Sequence, residues 1–182
     1  MIKGKKIQLV PLEKEDLAKS RSWVNDEILS SRMLRVLPVT QVEQEKWYQD
    51  IIQSSSKIVF AIKTLDHDKH VGNTGLYHID WIHRRSEFWI LIGEEDYTGQ
   101  GIGTEVLSLM KRYTFNNLNL NKLYLNVGTD NKEAIDLYKK LNFVQEGILR
   151  EHYYIEGKYL DIITMAILRK DFEREERYKK SE

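Results

Sequence analysis

The stretch that most constrains this chain covers residues 97–104: Tyr97, Thr98, Gly99, Gln100, Gly101, Ile102, Gly103 and Thr104. Three glycines at alternate positions interrupt an apolar run and then open into a helical pattern. Without Cβ atoms, Gly99, Gly101 and Gly103 let the backbone take unusual φ/ψ and approach a ligand closely. The free N–H groups at the start of the next helix would point at that ligand, so the turn reads as a cradle for a phosphate. A plain strand-to-helix turn also uses glycines, and only the rest of the chain decides between the two readings.

A chain of 182 residues with 41% hydrophobic content can bury one continuous core. The expectation is a single domain over 1–182, with its core at about 7–168 and a charged tail at 169–182, short and helical or frayed. Lys plus Arg and Asp plus Glu both number 28, so no long-range field draws the chain to nucleic acid or an anionic membrane. The absence of cysteine excludes disulfides, thiolate metal sites and catalysis through a protein thiol. Residues 1–10 lack the apolar core of a signal peptide, no apolar run reaches about 18 residues, and a cytoplasmic protein is expected.

In order, residues 7–10 form a short strand ended by Pro11, and 13–25 a modestly amphipathic helix. Residues 26–39 have weak periodicity. Thr40 and Glu43 have capping-box spacing, opening a helix through Trp47, Ile51 and Ile52. The nearly continuous apolar run 58–65 reads as a strand, and 71–79 with 86–92 as an antiparallel hairpin. From Gly103, the residues Val106, Leu107, Met110 and Tyr113 recur at helical spacing, completing strand, glycine turn and helix. A further strand spans 122–127, and Asp130 is expected to cap a helix from Asn131 to Leu141 that Asn142 ends. Residues 143–155 and 158–168 close the chain as a hairpin turning at Glu156 and Gly157. The pattern is one α/β sheet with helices on both sides.

At this point the residues carry a resemblance. The run Thr98, Gly99, Gln100, Gly101, Ile102, Gly103, followed by Asn131, Ala134, Tyr138, Leu141, Phe143 and Gly147, resembles the acetyl-CoA-binding and acceptor-side motifs of the GNAT N-acetyltransferase superfamily. The segments 83–88 and 146–161 are most similar to its branch of spermidine, ribosomal-protein N-terminal and nucleotide-amino-sugar acetyltransferases. Two positions depart from the pattern: Thr98 stands where Arg or Gln is usual, and Asn142 where Gly is common. The resemblance implies a mixed, mostly antiparallel sheet of about seven strands, split near the cofactor, with helices on both faces. It also implies acetyl-CoA as co-substrate, held by Ile90, Leu91, Ile92, Thr98, Gly99, Gln100, Gly101, Ile102, Gly103, Thr104, Asn126, Asn131 and Tyr138.

Acyl transfer to an amine needs the neutral amine, yet a lysine-like amine has a pKa of about 10.4. Glu87, on the strand before the glycine turn, can take that proton directly or through water. Its structural alternative is a strand carboxylate paired to Arg84 or Arg85. The departing thiolate needs a proton donor, and a tyrosine still holds its proton at neutral pH. Asn131 and Tyr138 are seven residues apart, about two turns, so both can face the cofactor. The alternative for Tyr138 is packing against Leu141 and Phe143. The resemblance gives Tyr138 the general-acid role and Glu87 a place in the active site. An oxyanion donor can come from the strand ending at Ile92, if it splays from 122–127 with a bulge that frees backbone N–H groups.

His67 and His70 have metal-like spacing in a polar turn; solvent exposure and no metal are expected. Trp47, Trp81 and Trp89 line a cleft or fill the core. For the acceptor, Asp26, Glu27, Glu43 and Glu45 suit a polyamine, whereas Trp23, Trp47, Arg32 and Arg35 suit a nucleotide sugar, and a protein N-terminus would need an open groove. The favoured reading is direct transfer to a primary amine in a ternary complex, by a chain able to form a homo-oligomer. The competing class is a silent module that binds acyl-CoA.

Overall fold

The computed structural model describes residues 1–179. Eight strands form one sheet in the order β1-β2-β3-β4-β5-β6-β8-β7, one more than expected because Ile2–Lys3 pairs with the second strand. The strands are β1 (Ile2–Lys3), β2 (Ile7–Pro11), β3 (Ile58–Thr64), β4 (His70–Asp80), β5 (Arg85–Ile92), β6 (Lys122–Gly128), β7 (Val144–Ile155) and β8 (Lys158–Leu168). Only β5 and β6 run parallel; every other neighbouring pair is antiparallel. The helices are α1 (Leu17–Val24), α2 (Glu27–Arg32), α3 (Gln41–Gln53), α4 (Ile102–Arg112), α5 (Lys132–Lys140) and α6 (Arg169–Lys179).

Strand β3 shows why the sheet is covered on both faces. Phe60 and Ile62 join the main core with Val106, Leu107 and Met110 of α4 and Ile135 of α5. Val59 and Ala61 point the other way, onto Leu17 of α1 and Ile51 of α3. A strand buried on both faces loses the alternation of a half-exposed one, hence its unbroken apolar run. Each fully buried Leu or Ile contributes roughly 1.5–3 kcal/mol, and this double layer holds the frame of the site rigid.

Several local signals read from the sequence are present. Thr40 and Glu43 form a reciprocal capping box at the start of α3. Glu156 and Gly157, both at positive φ, make the tight turn of the β7–β8 hairpin. Asn142 lies at φ 65°, the left-handed position after α5 that glycine or asparagine fills most easily. One reading needs correction. The cap of α5 is Asn131, not Asp130: its side chain accepts from the Ala134 N–H at 3.1 Å and the helix begins at Lys132. The aperiodic segment 26–39 contains the short helix α2, capped by Asp26. Of the two alternatives for the tail, its described part takes the helical one, and Phe172 of α6 stacks on Phe115 at 5.0 Å and Glu175 meets Lys111 at 2.6 Å. Residues 180–182 of that tail lie outside the described residues.

Candidate active site

The sheet opens where its one parallel pair comes apart. Strands β5 and β6 pair only at Arg85–Lys122, Ser86–Leu123 and Glu87–Tyr124. Beyond Glu87, β5 keeps its partner β4 while its other edge is unpaired, and β6 keeps β8. Because the two strands are parallel, the following helices both begin at the open end: α4 after β5, and α5 after β6. Two helix N-termini therefore face the mouth of one cleft, that of α4 without a side-chain cap and that of α5 capped by Asn131.

The expected bulge at 90–92 is absent. Ile90, Leu91 and Ile92 stay in regular register with Thr74, Asn73 and Gly72, so the splay alone exposes the free edge of β5. The irregularity lies at the other end of the hairpin, between Tyr77 and Asp80, with His78 at φ 50°. There it bears directly on Glu87, whose Oε2 lies 2.7 Å from His78 Nδ1. Glu87 Oε1 accepts from Asn126 Nδ2 at 3.0 Å, and Thr164 Oγ1 donates to Asn126 Oδ1 at 2.8 Å. The alternative pairing of Glu87 with its neighbouring arginines does not form. Arg84 donates to the Asn119 carbonyl, and Arg85 lies 3.6 Å from Asp80. Burial, and then the Glu87 carboxylate, push the phenol of Tyr124 up.

In the glycine turn, Gly99 and Gly101 lie at φ 72° and 81°, and a Cβ at either would meet nothing within 4 Å. That combination of left-handed backbone and open space beside the N-terminus of α4 is what a pyrophosphate requires. Gly103 differs: it has no left-handed backbone, and a Cβ there would meet only Leu137 at 3.5 Å, an ordinary contact. Thr98 closes the preceding turn with its N–H on the Glu95 carbonyl, and Gln100 donates to the Asp96 carbonyl at 2.5 Å. Lys6 brings a cation to this loop, its Nζ 2.9 Å from the Gln100 carbonyl. Nothing local in the sequence marks Lys6, which reaches the loop from β1–β2. There its ammonium lies beside a turn in which Thr98 carries no charge.

Tyr138 lies on the buried face of α5, its ring 6.0 Å from that of Phe143. The hydroxyl makes no hydrogen bond to the described residues, and burial pushes its pKa up to about 12. Six residues into α5, it has come back about 9 Å along the helix from the mouth. The group stays protonated at neutral pH, as a proton donor must. Asn131 has its carbonyl oxygen committed to capping, and Asn126 its amide to Glu87.

Other sequence candidates fare differently. Trp23 is only 5% exposed and stacks edge-on with His70, which removes it as a platform for a nucleotide. His70, expected in solvent, is buried: its Nε2 lies 2.8 Å from Asn73 Oδ1 and burial lowers its pKa. His67 is exposed, and among the described residues no group of three or more His, Cys, Asp or Glu could hold a metal. Asp26 and Glu43 act as helix caps, and the Thr40 backbone and hydroxyl hold the Glu43 carboxyl below the usual range. Trp81 donates to the Ser55 carbonyl and Trp47 to the Tyr77 hydroxyl; the buried Trp89 Nε1 has no partner among the described residues.

Residues 6–144 match the model of the acetyltransferase (GNAT) domain. The chain belongs to the GNAT acetyltransferase family. Spermidine N(1)-acetyltransferase of Escherichia coli K12 is 35% identical over 166 residues, 91% of this chain and 88% of that protein. The structure of spermidine N-acetyltransferase from Vibrio cholerae in complex with CoA and spermine superposes with a TM-score of 0.87 at 30% identity, covering 91% of this chain and 97% of that one. A dodecameric structure of the Vibrio cholerae enzyme superposes at 0.81 and 31% identity, covering 91% and 95%. This GNAT protein is therefore an acetyl-CoA-dependent N-acetyltransferase.

Proposed function

We propose that this GNAT enzyme acetylates a polyamine of the spermidine class in the cleft between β5 and β6, with Glu87 as base and Tyr138 as acid. The observation that carries the reading is the placement of Glu87: the last residue of β5 paired with β6, both oxygens hydrogen-bonded, at the point where the sheet opens. Gly99, Gly101 and the first turn of α4 hold the pyrophosphate, with Lys6 beside them. The free edge of β5 at 88–92 supplies backbone groups for the arm of the co-substrate and for the developing oxyanion. Bound acetyl-CoA supplies an activated acetyl thioester.

Glu87 removes one proton from the incoming ammonium, leaving a nucleophilic nitrogen. Tyr138 gives its hydroxyl proton to the departing sulfur and is refilled from the second proton that the acylated nitrogen sheds. The balance is one proton released per acetyl transferred. With no cysteine in the chain to carry the acetyl group, transfer is direct in a ternary complex.

The polyamine acceptor is supported by the relatives and by the burial of Trp23, which counts against stacking a nucleotide sugar. The edge strand β7 exposes Val144, Ile148, Leu149 and Tyr154, which fits a homo-oligomer. Among the described residues no helix is long and apolar enough to cross a membrane. The test is thiol release from acetyl-CoA with spermidine, spermine, a nucleotide amino sugar and a short peptide with a free N-terminus. The expected result is a kcat/KM for the polyamines at least about tenfold above the others, or about 1.4 kcal/mol of transition-state preference. Preference for the peptide or the sugar would reassign the acceptor; no turnover with any would leave a binding module.

A further inference from the structure

We infer that His78 is a positioning residue that acts through Glu87, orienting its carboxylate and carrying its proton out to solvent. This rests on Glu87 being the base.

The two oxygens of Glu87 have partners of different kinds. Oε1 faces Asn126 Nδ2, an amide that neither takes up nor gives away a proton, and whose orientation is set by the Thr164 hydroxyl on its other end. Oε2 faces His78 Nδ1 at 2.7 Å, and imidazole is the side chain that both accepts and releases protons near neutral pH. The Glu87 side chain is 23% exposed and that of His78 is 69% exposed, so the pair leads from the cleft to bulk water.

The backbone departs from regular pairing at this point. Tyr77 pairs with Glu87, so their side chains share one face of the sheet, and in continued register residue 78 would pair with Ser86 on the opposite face. Instead two residues, His78 and Ile79, oppose Ser86 alone. The extra residue, with φ of 50° at His78, swings the imidazole round to the Glu87 side. A non-glycine residue in the left-handed region is strained, and the contact with Glu87 accompanies that conformation.

Each step moves one proton. The ammonium gives a proton to Glu87; Glu87 passes it to His78 Nδ1; the imidazolium releases a proton from Nε2 to water. The ring is left with its proton on Nδ1, donating to the regenerated carboxylate; exchange with bulk water, one proton gained at Nε2 and one lost from Nδ1, restores the Nε2–H tautomer before the next transfer.

The test compares His78→Gln and His78→Asn with the wild type and with Glu87→Gln, at saturating acetyl-CoA and spermidine in dilute buffer at neutral pH. Gln keeps a hydrogen-bond donor without the ring, and Asn tolerates the left-handed backbone, so at least one of the two should fold. Expected is a fall in kcat of about tenfold or more with the KM for acetyl-CoA unchanged, and recovery when free imidazole is added. Glu87→Gln should be slow and unresponsive to imidazole. Wild-type kcat in a folded His78 variant, or a loss that imidazole leaves untouched, overturns the relay while leaving Glu87 as base. Wild-type turnover in Glu87→Gln removes the base itself, and the relay with it.

Discussion

The two ends of the β5–β6 pair differ in how fully their backbone is satisfied. At the closed end, three consecutive residues pair across the strands, and the connections behind them are tied down. Asn121 N–H and Lys122 N–H donate to the Arg84 carbonyl at 2.6 and 3.1 Å. Arg84 reaches the Asn119 carbonyl, and the Arg169 guanidinium spans the carbonyls of Phe115 and Leu120. At the open end, β5 runs on unpaired on one edge, two glycines sit at positive φ, and the first turn of α4 has no side-chain cap. Buried polar groups without partners are costly, so an open edge of this kind persists only if the surrounding frame forbids closure. One end is anchored and the other open, and Glu87 stands at the border between them.

The largest expected effect lies on the open side. Tyr138→Phe keeps the ring against Phe143 and removes the proposed donor, so kcat should fall by about 10²–10⁴-fold while CoA affinity and amine KM barely move. Steady-state kinetics with calorimetric CoA binding checks this. Wild-type kcat with chemistry rate-limiting would make the tyrosine a packing residue and weaken the contrast between the ends. A smaller effect, of a different kind, belongs to the closed side. Arg169→Met strips donors from the Phe115 and Leu120 carbonyls and should lower stability to urea by about 2–3 kcal/mol. Turnover per folded molecule should stay near wild type. Lost turnover at unchanged stability would mean that this end does more than anchor.

The elements, the capping box of α3, the β7–β8 turn and the glycine cradle were legible because each is written in residues close together in sequence. The partners in the site were not. For Glu87 the local sequence offers Arg84 or Arg85 as the structural alternative, but one extra residue in β4 turns His78 towards it instead. Lys6 lies 94 residues from the carbonyl it touches, and Asn126 and Thr164 come from different strands. His70 looked solvated among polar neighbours, yet Asn73, Asp16 and Trp23 enclose it from β4 and the α1 region. Such contacts depend on sheet register, which a local pattern does not encode.

The central claim is that a proton leaves the acceptor amine at Glu87, and the pH dependence of Glu87→Gln tests it most directly. The measurement is the rate of spermidine acetylation from acetyl-CoA between neutral pH and pH 10, beside the wild type, with CoA affinity measured in both. The account predicts a loss of about 10²-fold or more at neutral pH, where an amine of pKa about 10.4 arrives protonated. The loss should shrink as pH rises and the amine arrives neutral, with CoA affinity unchanged. Parallel pH–rate profiles for the two proteins, at equal stability, would contradict the claim and leave Glu87 a structural carboxylate.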